Sequence, residues 1–538
     1  MNQFITKLVP CLLAAGLCGC SGVRHWWNND FLIGPNYVPP EVGVASDWLD
    51  SGHPSISIET DELTHWWQVF DDPVLDQLVL SAYQRNRSLR IAGLRVLEAR
   101  RQRNIAATNL LPQSQRSLGR YTRTQLSQTT ATSSPFVPTA FSDWQTGFDL
   151  NWEIDVWGRL RRAIESADAA LDAEAENYDA VLVTLIGDVA ATYIDLRAFE
   201  ERIRLARENV KQQAGSLRVA QDQRTEGAVS ELDVQQANGN LADTQALIPS
   251  LQLQRRRALN QLAILIGTTP YELEPLLSAS DGLPTAPQDV VVGIPADLLR
   301  RRPDVRQAER LIATQSAQIG IAEADLYPQF LINGEIKLNS GDFADLFSSK
   351  SVAGNVGPGF AWNILNYGRI VNNIAVQELR FEQRVTAYEE IVLNAHREVE
   401  DAMVLFLRSK EEVAELQKAV DATARSVELV RIQYEEGETD FGRVFVLESN
   451  LVRAQDRLVA AQANVAIGLT QLYKALGGGW QLRCELPYHD FAPLPPIAEG
   501  FGAIYGADSW EEVAPGKELD RPMILPIAKT VQLSPPDD

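Results

Sequence analysis

The sequence predicts a mostly helical protein with a membrane β-barrel, in which one helix–strand–strand–helix–turn–helix plan occurs twice. The first observation is an internal repeat, because residues 178–270 align without a gap on residues 388–480. The second is the length of two helical segments, from residue 156 to about 224 and from 370 to about 434, which contain no proline and extend for about 100 Å each. The third is the alternation of apolar and polar residues over segments long enough for membrane strands, roughly 9–11 residues.

The composition excludes several classes of protein. The chain has 538 residues, of which 45% are hydrophobic, so it is neither disordered nor too small for a large core. Its only long apolar run, Leu8 to Cys18, is too short for a membrane-spanning helix. The net charge of −22 argues against nucleic acid as a partner, since phosphate binding requires a basic surface.

The sequence contains no recognisable machinery for chemistry. It has no Gly-x-Ser-x-Gly motif, no phosphate-binding loop and no Cys/His cluster, and its five His lie at no metal-ligand spacing. Its acidic residues fall on helical faces, where solvated charge is the usual explanation. We therefore expect no catalytic residue, no metal, no cofactor and no enzymatic activity.

The N-terminus predicts export and lipidation. Lys7 precedes an apolar run that ends in Leu17-Cys18-Gly19-Cys20, a pattern that resembles a bacterial lipobox. We expect residues 1–19 to be a signal peptide and Cys20 to be lipidated in the outer membrane, since Ser21 rather than Asp follows the cysteine. The alternative is an ordinary signal peptide with a chance cysteine.

The repeat divides the chain into two equivalent halves. Residues 76–270 form the first and residues 298–480 the second, joined by a linker at 271–297. A lipid-anchored segment, 20–75, precedes them, and a Pro-rich acidic tail, 481–538, follows. The expected strands are 113–126, 144–156, 329–339 and 352–364, and the expected long helices are 156–226, 229–266, 370–436 and 442–476.

Segment 144–156 shows the alternation most clearly. Trp152 lies on its apolar face, whereas Asp149, Glu153 and Asp155 share the polar face. In a membrane strand the apolar face contacts lipid, so Trp152 and its repeat partner Trp362 should do so. The three carboxylates should face a water-filled pore, as an acidic ring that favours cations or, alternatively, as polar lumen residues without selectivity.

Four strands do not close a barrel by themselves. Open strand edges are not tolerated in hydrocarbon, and small barrels begin at about eight strands. The barrel must therefore be shared between chains. Two chains would fill the lumen with side chains, whereas three chains would leave a pore, and the polar inner faces favour three.

Short motifs along the chain are similar to a known family. They are the lipobox, Gly34-Pro-Asn-Tyr37, Trp66-Trp-Gln-Val-Phe70, Leu298-Leu-Arg-Arg-Arg-Pro-Asp-Val305, Ala322-Glu-Ala-Asp-Leu-Tyr-Pro-Gln329 and Leu472-Tyr-Lys-Ala-Leu-Gly-Gly-Gly-Trp480. In this order they resemble the TolC-like outer membrane factors, especially the lipoprotein branch of multidrug efflux channels, over residues 17–480. The resemblance implies a homotrimer with a shared twelve-stranded barrel in the outer membrane and a twelve-helix tunnel across the periplasm.

The resemblance also implies partners and a function. A periplasmic adaptor (membrane fusion) protein would join the channel to an inner-membrane transporter, and the channel would conduct small molecules passively to the exterior. Two alternatives stay open: the duct of an ABC-type secretion system, and a lipoprotein scaffold that does not conduct. The tail beyond Trp480 is not part of the family pattern.

The turns between the long helices predict the periplasmic end. Each long helix ends at a glycine, Gly227 or Gly437, and these tips should receive the adaptor. In the family the second tip is followed by an acidic gate, but here Arg443 and Val446 occupy two positions where members often have Asp.

Three interpretations of this gate region remain open. Asp440 and Glu448 are the nearest carboxylates for an acidic gate. Phe441, Phe445 and Val446 would instead form a hydrophobic constriction. As a third possibility, Phe441 and Phe445 merely pack against the neighbouring helix, because residues four apart share a helix face.

Overall fold

The computed structural model describes the chain from residue 26 to residue 485 with short gaps. The described residues are 26–41, 43, 47–57, 63–127, 129, 138–278, 282–287, 290–291 and 300–485. Cys20 and the part of the tail after residue 485 lie outside them.

The described elements occur in the same order in both halves of the chain. The helices are α1 (Pro73–Arg85), α2 (Arg87–Thr108), α3 (Arg159–Thr225), α4 (Glu231–Ile266), α5 (Pro270–Leu277), α6 (Pro303–Ala324), α7 (Arg369–Glu435), α8 (Phe441–Ala475) and α9 (Leu482–Glu485). The strands are β1 (Ile56–Ser57), β2 (Ser114–Gln125), β3 (Ala140–Ile154), β4 (Val290–Val291), β5 (Gln329–Ser340) and β6 (Val352–Ala361). The order α2, β2, β3, α3, α4 is repeated as α6, β5, β6, α7, α8. The mostly helical, duplicated fold expected from the sequence is confirmed.

One antiparallel sheet contains the four long strands in the order β2, β3, β5, β6. The register places Arg116, Asp149, Glu335 and Asn355 side by side across the sheet. The short strands β1 and β4 pair with each other in parallel. Among the described residues, β2 and β6 each have one paired neighbour, so both edges of the sheet are open in a single chain.

Several strand and helix ends differ from the expected positions. Strand β3 begins at Ala140 because residues 140–143 still pair with β2. Strand β6 ends at Ala361, opposite Gln329, because Pro328 has no amide hydrogen to extend the ladder on that side. The expected strand 352–364 was therefore three residues too long, and Trp362 follows the strand.

The two longest helices are built alike. Helices α3 and α7 have 67 residues each, which corresponds to about 100 Å. Each follows a glycine in the left-handed region, Gly158 with φ 81° and Gly368 with φ 79°. These glycines turn the chain from strand to helix, which is why α3 begins at Arg159 rather than at 156.

The largest hydrophobic cluster contains residues 178–198 of α3, 259–266 of α4, 399–407 of α7 and the C-terminal part of α8. These parts of the helices pack against the N-terminal segment. Trp67, Tyr193 and Phe406 are among its fully buried side chains. At Gly468 a Cβ atom would lie 2.9 Å from the Phe406 amide nitrogen, so α8 approaches α7 closely only because this residue is glycine. None of the described helices has both the length and the apolar composition needed to cross a lipid bilayer.

Candidate functional site

One face of the sheet is lined by paired polar side chains. Arg116 Nη2 lies 2.7 Å from Asp149 Oδ2, and Lys337 Nζ lies 2.6 Å from Glu335 Oε1. Asn151 donates a 2.7 Å hydrogen bond to Asn333 on the next strand. Because these residues are in register, the polar groups form a continuous band across β2, β3 and β5. Asp149 lies in this band, but its charge is balanced by Arg116.

The opposite face of the sheet is apolar over β3, β5 and β6. Phe148 is 64% exposed and Val356 is 78% exposed, and Ile336 and Phe360 are exposed beside them. Large apolar side chains that stand exposed in a row indicate contact with lipid or with another chain. Strand β2 differs, because its residues on this face include Arg123.

Glu153 and Asp155 lie at the junction of strand β3 and helix α3. Glu153 Oε2 is 2.6 Å from Arg159 Nη2. Asp155, with a side chain 7% exposed, accepts hydrogen bonds from the backbone nitrogens of Leu160 and Arg161 and from the Arg161 guanidinium. Asp155 therefore caps the first turn of α3 and does not present a free carboxylate, contrary to the expectation of an acidic ring.

The two tryptophans expected to contact lipid have equivalent anchors. Trp152 Nε1 donates to the Leu110 carbonyl at 3.0 Å, and Trp362 Nε1 donates to the Leu326 carbonyl at 2.9 Å. Leu110 and Leu326 are themselves equivalent in the two halves. An indole with its N–H bonded and its ring at the end of a strand is typical of the membrane–water boundary.

The N-terminal segment lies against the same junction. Arg161 donates to the carbonyls of Asp30 and Phe31, and Arg162 donates to those of Ile33 and Gly34. The motif Gly34-Pro-Asn-Tyr37 did not by itself predict this contact. The signal was Gly34 itself, since its φ of 86° and its close approach to α6 both require glycine.

The two helix tips have the same backbone geometry. Gly227 has φ 74° and Gly437 has φ 77°. Each glycine nitrogen donates to a carbonyl three residues earlier, and the next residue donates five residues back, which closes the end of the helix. No atom lies within 4 Å of a Cβ built on either glycine, so both tips are open surfaces.

The candidate gate residues at the start of α8 are mostly enclosed. Asp440 accepts a hydrogen bond from the Arg443 nitrogen and caps the helix. Phe441 is 1% exposed and packs edge-on against Tyr434, with the ring centres 5.4 Å apart. Phe445 is half-buried against a small hydrophobic cluster that contains Tyr434, Phe441 and Val444. The interpretation of Phe441 and Phe445 as helix packing describes this arrangement, and Phe441 does not line a lumen here.

Glu448 is enclosed at the centre of the four long helices. Its side chain is 3% exposed, and Oε1 accepts hydrogen bonds from Arg431 of α7 at 2.7 Å and Ser216 of α3 at 2.8 Å. Its Oε2 accepts from Asn240 of α4 at 2.9 Å. The expected lumen-lining carboxylate is therefore a buried connection between the two helical hairpins.

The opposite side of α8 is exposed at the positions where family members often have Asp. Arg443 is exposed, and Val446 is 51% exposed. Neither supplies a negative charge. Among the described residues, no group of three His, Cys, Asp or Glu side chains is arranged to hold a metal ion.

Comparison with known proteins agrees with this geometry. The family model of outer membrane efflux proteins matches residues 78–268 and 294–478. Nodulation protein T of Rhizobium leguminosarum bv. trifolii is 30% identical over 466 residues, which are 84% of this chain and 94% of that protein. Pyoverdine export outer membrane protein OpmQ of Pseudomonas putida is 30% identical over 454 residues, 82% and 94% of the two chains. The solved structure of the outer-membrane channel OprN has a TM-score of 0.77 at 31% identity and covers 84% of this chain and 99% of that one.

The matched residues include both repeats, the four-stranded sheet and all four long helices. The chain therefore belongs to the outer membrane efflux protein family.

Proposed function

We propose that three copies of this chain form one duct through the outer membrane. The observation that supports it most directly is the four-stranded sheet, which has one polar face, one exposed apolar face and two open edges. Edge strands β2 and β6 leave backbone groups unpaired, and hydrocarbon does not tolerate such edges. Pairing β6 of one copy with β2 of the next closes a twelve-stranded barrel, in which the band around Asp149 lines the lumen.

The exposed side of α7 supports the same assembly. Between residues 369 and 404 this helix has a series of exposed aliphatic side chains, namely Val371, Val376, Leu379, Leu393 and Val404. An isolated long helix would not expose such a series to water. A neighbouring copy covers it, and twelve long helices from three copies enclose a tunnel below the barrel.

The duct conducts small molecules that a separate pump delivers. Outer membrane efflux proteins are channels and not enzymes, so the energy comes from a partner. An inner-membrane transporter and a periplasmic adaptor supply it, and the adaptor contacts the open tips at Gly227 and Gly437. The relative OpmQ is named for pyoverdine export, which favours efflux over protein secretion. The duct of an ABC-type secretion system and a non-conducting scaffold are the alternative functions.

The resting duct is held shut from within each chain. Glu448 joins the hairpin α7–α8 to the hairpin α3–α4, because Ser216 of α3 and Asn240 of α4 both donate to it, so outward movement of α7–α8 breaks these two buried hydrogen bonds. A buried polar group that loses its hydrogen-bond partner costs about 1–3 kcal/mol. The gate is therefore an internal latch, with Phe445, Val446 and Arg443 as the nearby side chains available to face the lumen.

Lipidation at Cys20 adds a second anchor beside the barrel. The described chain begins at Trp26, which packs on Trp157 with ring centres 5.2 Å apart, directly below the strands. Five residues, 21–25, therefore separate Cys20 from Trp26, which lies at the start of α3. This short tether supports a lipid inserted at the periplasmic side of the outer membrane.

Substrate accumulation in a deletion strain tests the efflux function. Loss of the gene should raise cellular accumulation of the fluorescent substrate of its adaptor–transporter pair, and the intact chain should reverse it. Native mass spectrometry of the purified protein should give a trimer. Normal accumulation of dyes together with a defect in protein secretion would favour the ABC-type alternative, and a monomer would contradict the shared barrel.

A further inference from the structure

A basic groove lies between α3 and α4, below the main hydrophobic cluster. Its volume is about 780 Å³. Five of the side chains that line it are cationic and two are anionic, in a protein whose net charge is −22. The cations are Arg204, Arg207, Lys211, Arg255 and Arg256, and the anions are Glu200 and Glu208.

The cations of the groove fall into two groups. Arg204 pairs with Glu201 and Glu208, and Arg255 pairs with Glu200. Within the described part of the chain, the side chains of Arg207, Lys211 and Arg256 make no hydrogen bond or ion pair, and all three are exposed. The groove therefore has an excess of positive charge on two neighbouring helices.

The C-terminal tail is negatively charged and so complements the positive charge of the groove. Residues 486–538 contain nine Asp and Glu against three Lys and Arg, and Asp508, Glu511, Glu512, Glu518 and Asp520 cluster within 13 residues. The tail also contains nine prolines, which favour an extended chain that fits a groove. It lies beyond the family match, which ends at residue 478, so the family's shared plan gives it no role.

The described chain ends within reach of the groove. Arg483 Nη2 lies 2.9 Å from Asp179 Oδ2 on α3, which fixes the start of the tail. Along α3 the distance from Asp179 to the centre of the groove, near residue 205, is about 39 Å. Residues 486–507 span up to about 70 Å when extended, which is sufficient.

We propose that residues 508–520 of the tail bind in the α3–α4 groove of the same chain. The carboxylates of this segment pair with Arg207, Lys211 and Arg256, and the tail thereby covers a polar groove that the helices leave open. This role goes beyond conduction through the duct and is independent of it. An acidic segment of another protein is the competing occupant.

Carbodiimide cross-linking of the purified full-length protein tests the proposal. The reagent condenses an amine with a carboxylate that contacts it, and among the described residues Lys211 is the only lysine that lines the groove. Mass spectrometry should recover Lys211 joined to a peptide from residues 508–520. On a denaturing gel this product should migrate as a single chain. Lys418, exposed at the corresponding height of α7 and beside Glu415, is the control amine and should give no tail cross-link.

Charge reversal makes the test specific. The double change Arg207→Glu and Arg256→Glu keeps Lys211 and should abolish the cross-link to the tail. The single change Arg218→Glu, outside the groove on the same helix, should leave it unchanged. Adding Glu511→Arg and Glu512→Arg to the double variant should restore the cross-link through Asp508. Thermal unfolding of each variant checks that loss of the cross-link does not reflect loss of the fold.

Three results would overturn the proposal. The first is that no cross-linked peptide joins Lys211 to the tail. The second is that Lys418 gives tail cross-links in equal yield. The third is a product between Lys211 and another protein, recovered from cell envelopes in place of the tail product. That last outcome would assign the groove to a partner.

Discussion

Glu448 is held by side chains from three other helices although it lies in an apolar stripe of α8. The stripe contains Phe441, Val444 and Leu451, all buried, and with Glu448 among them the spacings are three, four and three residues. A carboxylate at such a position requires compensation, which Arg431, Ser216 and Asn240 provide. The side chain thus fixes the position of one hairpin relative to the other.

Removing this carboxylate should loosen the helix tips. We expect Glu448→Ala to lower the local stability of residues 425–450 by about 2 kcal/mol, since Ser216 and Asn240 lose a buried acceptor. Amide hydrogen exchange measures this directly. Glu438→Ala removes an exposed carboxylate from the same tip and should leave exchange unchanged. Equal protection in both variants would contradict the latch.

The pair Arg116–Asp149 should set the charge selectivity of the barrel. Because the two charges cancel, we expect the intact duct to discriminate weakly between cations and anions. Arg116→Gln leaves Asp149 uncompensated and should shift the reversal potential in a salt gradient toward cations. Asp149→Asn should shift it toward anions. If neither variant changes the reversal potential, these residues do not line the conducting path.

The lipobox predicts a covalent modification at one residue, Cys20. Mass spectrometry of the mature N-terminus should find acyl chains on Cys20, and a free amino terminus at another residue would exclude them. We expect Cys20→Ser to reach the outer membrane less completely but to assemble normally, because the barrel is itself an anchor and several acyl chains only add to it. Fractionation of cell envelopes measures the first effect and native mass spectrometry the second.

At the residue scale, the sequence identified which carboxylates matter but did not predict the contacts that their side chains make. It singled out Asp155 and Glu448 as carboxylates of interest, but both have enclosed side chains with arginine partners. The partner of Asp155 is six residues away, whereas Arg431 is on another helix. Sequence spacing indicates which side chains share a helix face, and it does not indicate which side chains meet across helices.

The helices and strands follow local rules that the sequence contains. Gly158 and Gly368 occupy equivalent positions between strand and helix, and Gly227 and Gly437 occupy equivalent positions at the tips. Alternation predicted β3, β5 and β6, proline-free runs predicted α3 and α7, and the repeat predicted β2. The expected ends were less accurate where tertiary contacts decide them, as at β3, where residues 140–143 pair with β2.

One contact between elements gives the fold a pH dependence. Asp179 of α3 is enclosed where α6 and the turn at Arg483 meet, 2.9 Å from that arginine and 3.7 Å from Arg306. Burial raises the pKa of Asp179 to about 7, because desolvation of the carboxylate outweighs the attraction of the two guanidinium groups. In the unfolded chain the pKa is about 3.9.

The sign of the effect follows from these two pKa values. The folded state holds the proton more tightly, so the contribution of Asp179 to stability is complete below about pH 4 and is lost as the pH rises through about 7. We expect the wild-type protein to unfold at a lower temperature at pH 8 than at pH 5, and Asp179→Asn to reduce this difference. Asp188→Asn, which removes an exposed partner of Lys474, is the control. An identical pH dependence in wild type and Asp179→Asn would contradict the assignment.

At the scale of the whole molecule, the duplicated plan explains how one chain would supply four strands and four long helices, one third of each set in the proposed trimer. Both halves have a strand pair that leads into a helix of 67 residues, so the sheet and the helical bundle lie end to end. The sequence predicted this plan because the repeat is direct. The basic groove between α3 and α4 was not predicted, since its cations come from two different helices.

The central claim is a passive duct that an internal latch keeps nearly shut, and single-channel recording in planar bilayers tests it most directly. Without pump or nucleotide, the purified protein should insert and give a small, ohmic conductance. We expect Glu448→Ala to increase this conductance several-fold, because the two hydrogen bonds that join the hairpins through Glu448 are lost, and Phe445→Ala to change it little. An increase with Phe445→Ala alone would replace the latch by a hydrophobic gate. No current from any variant would contradict the duct itself.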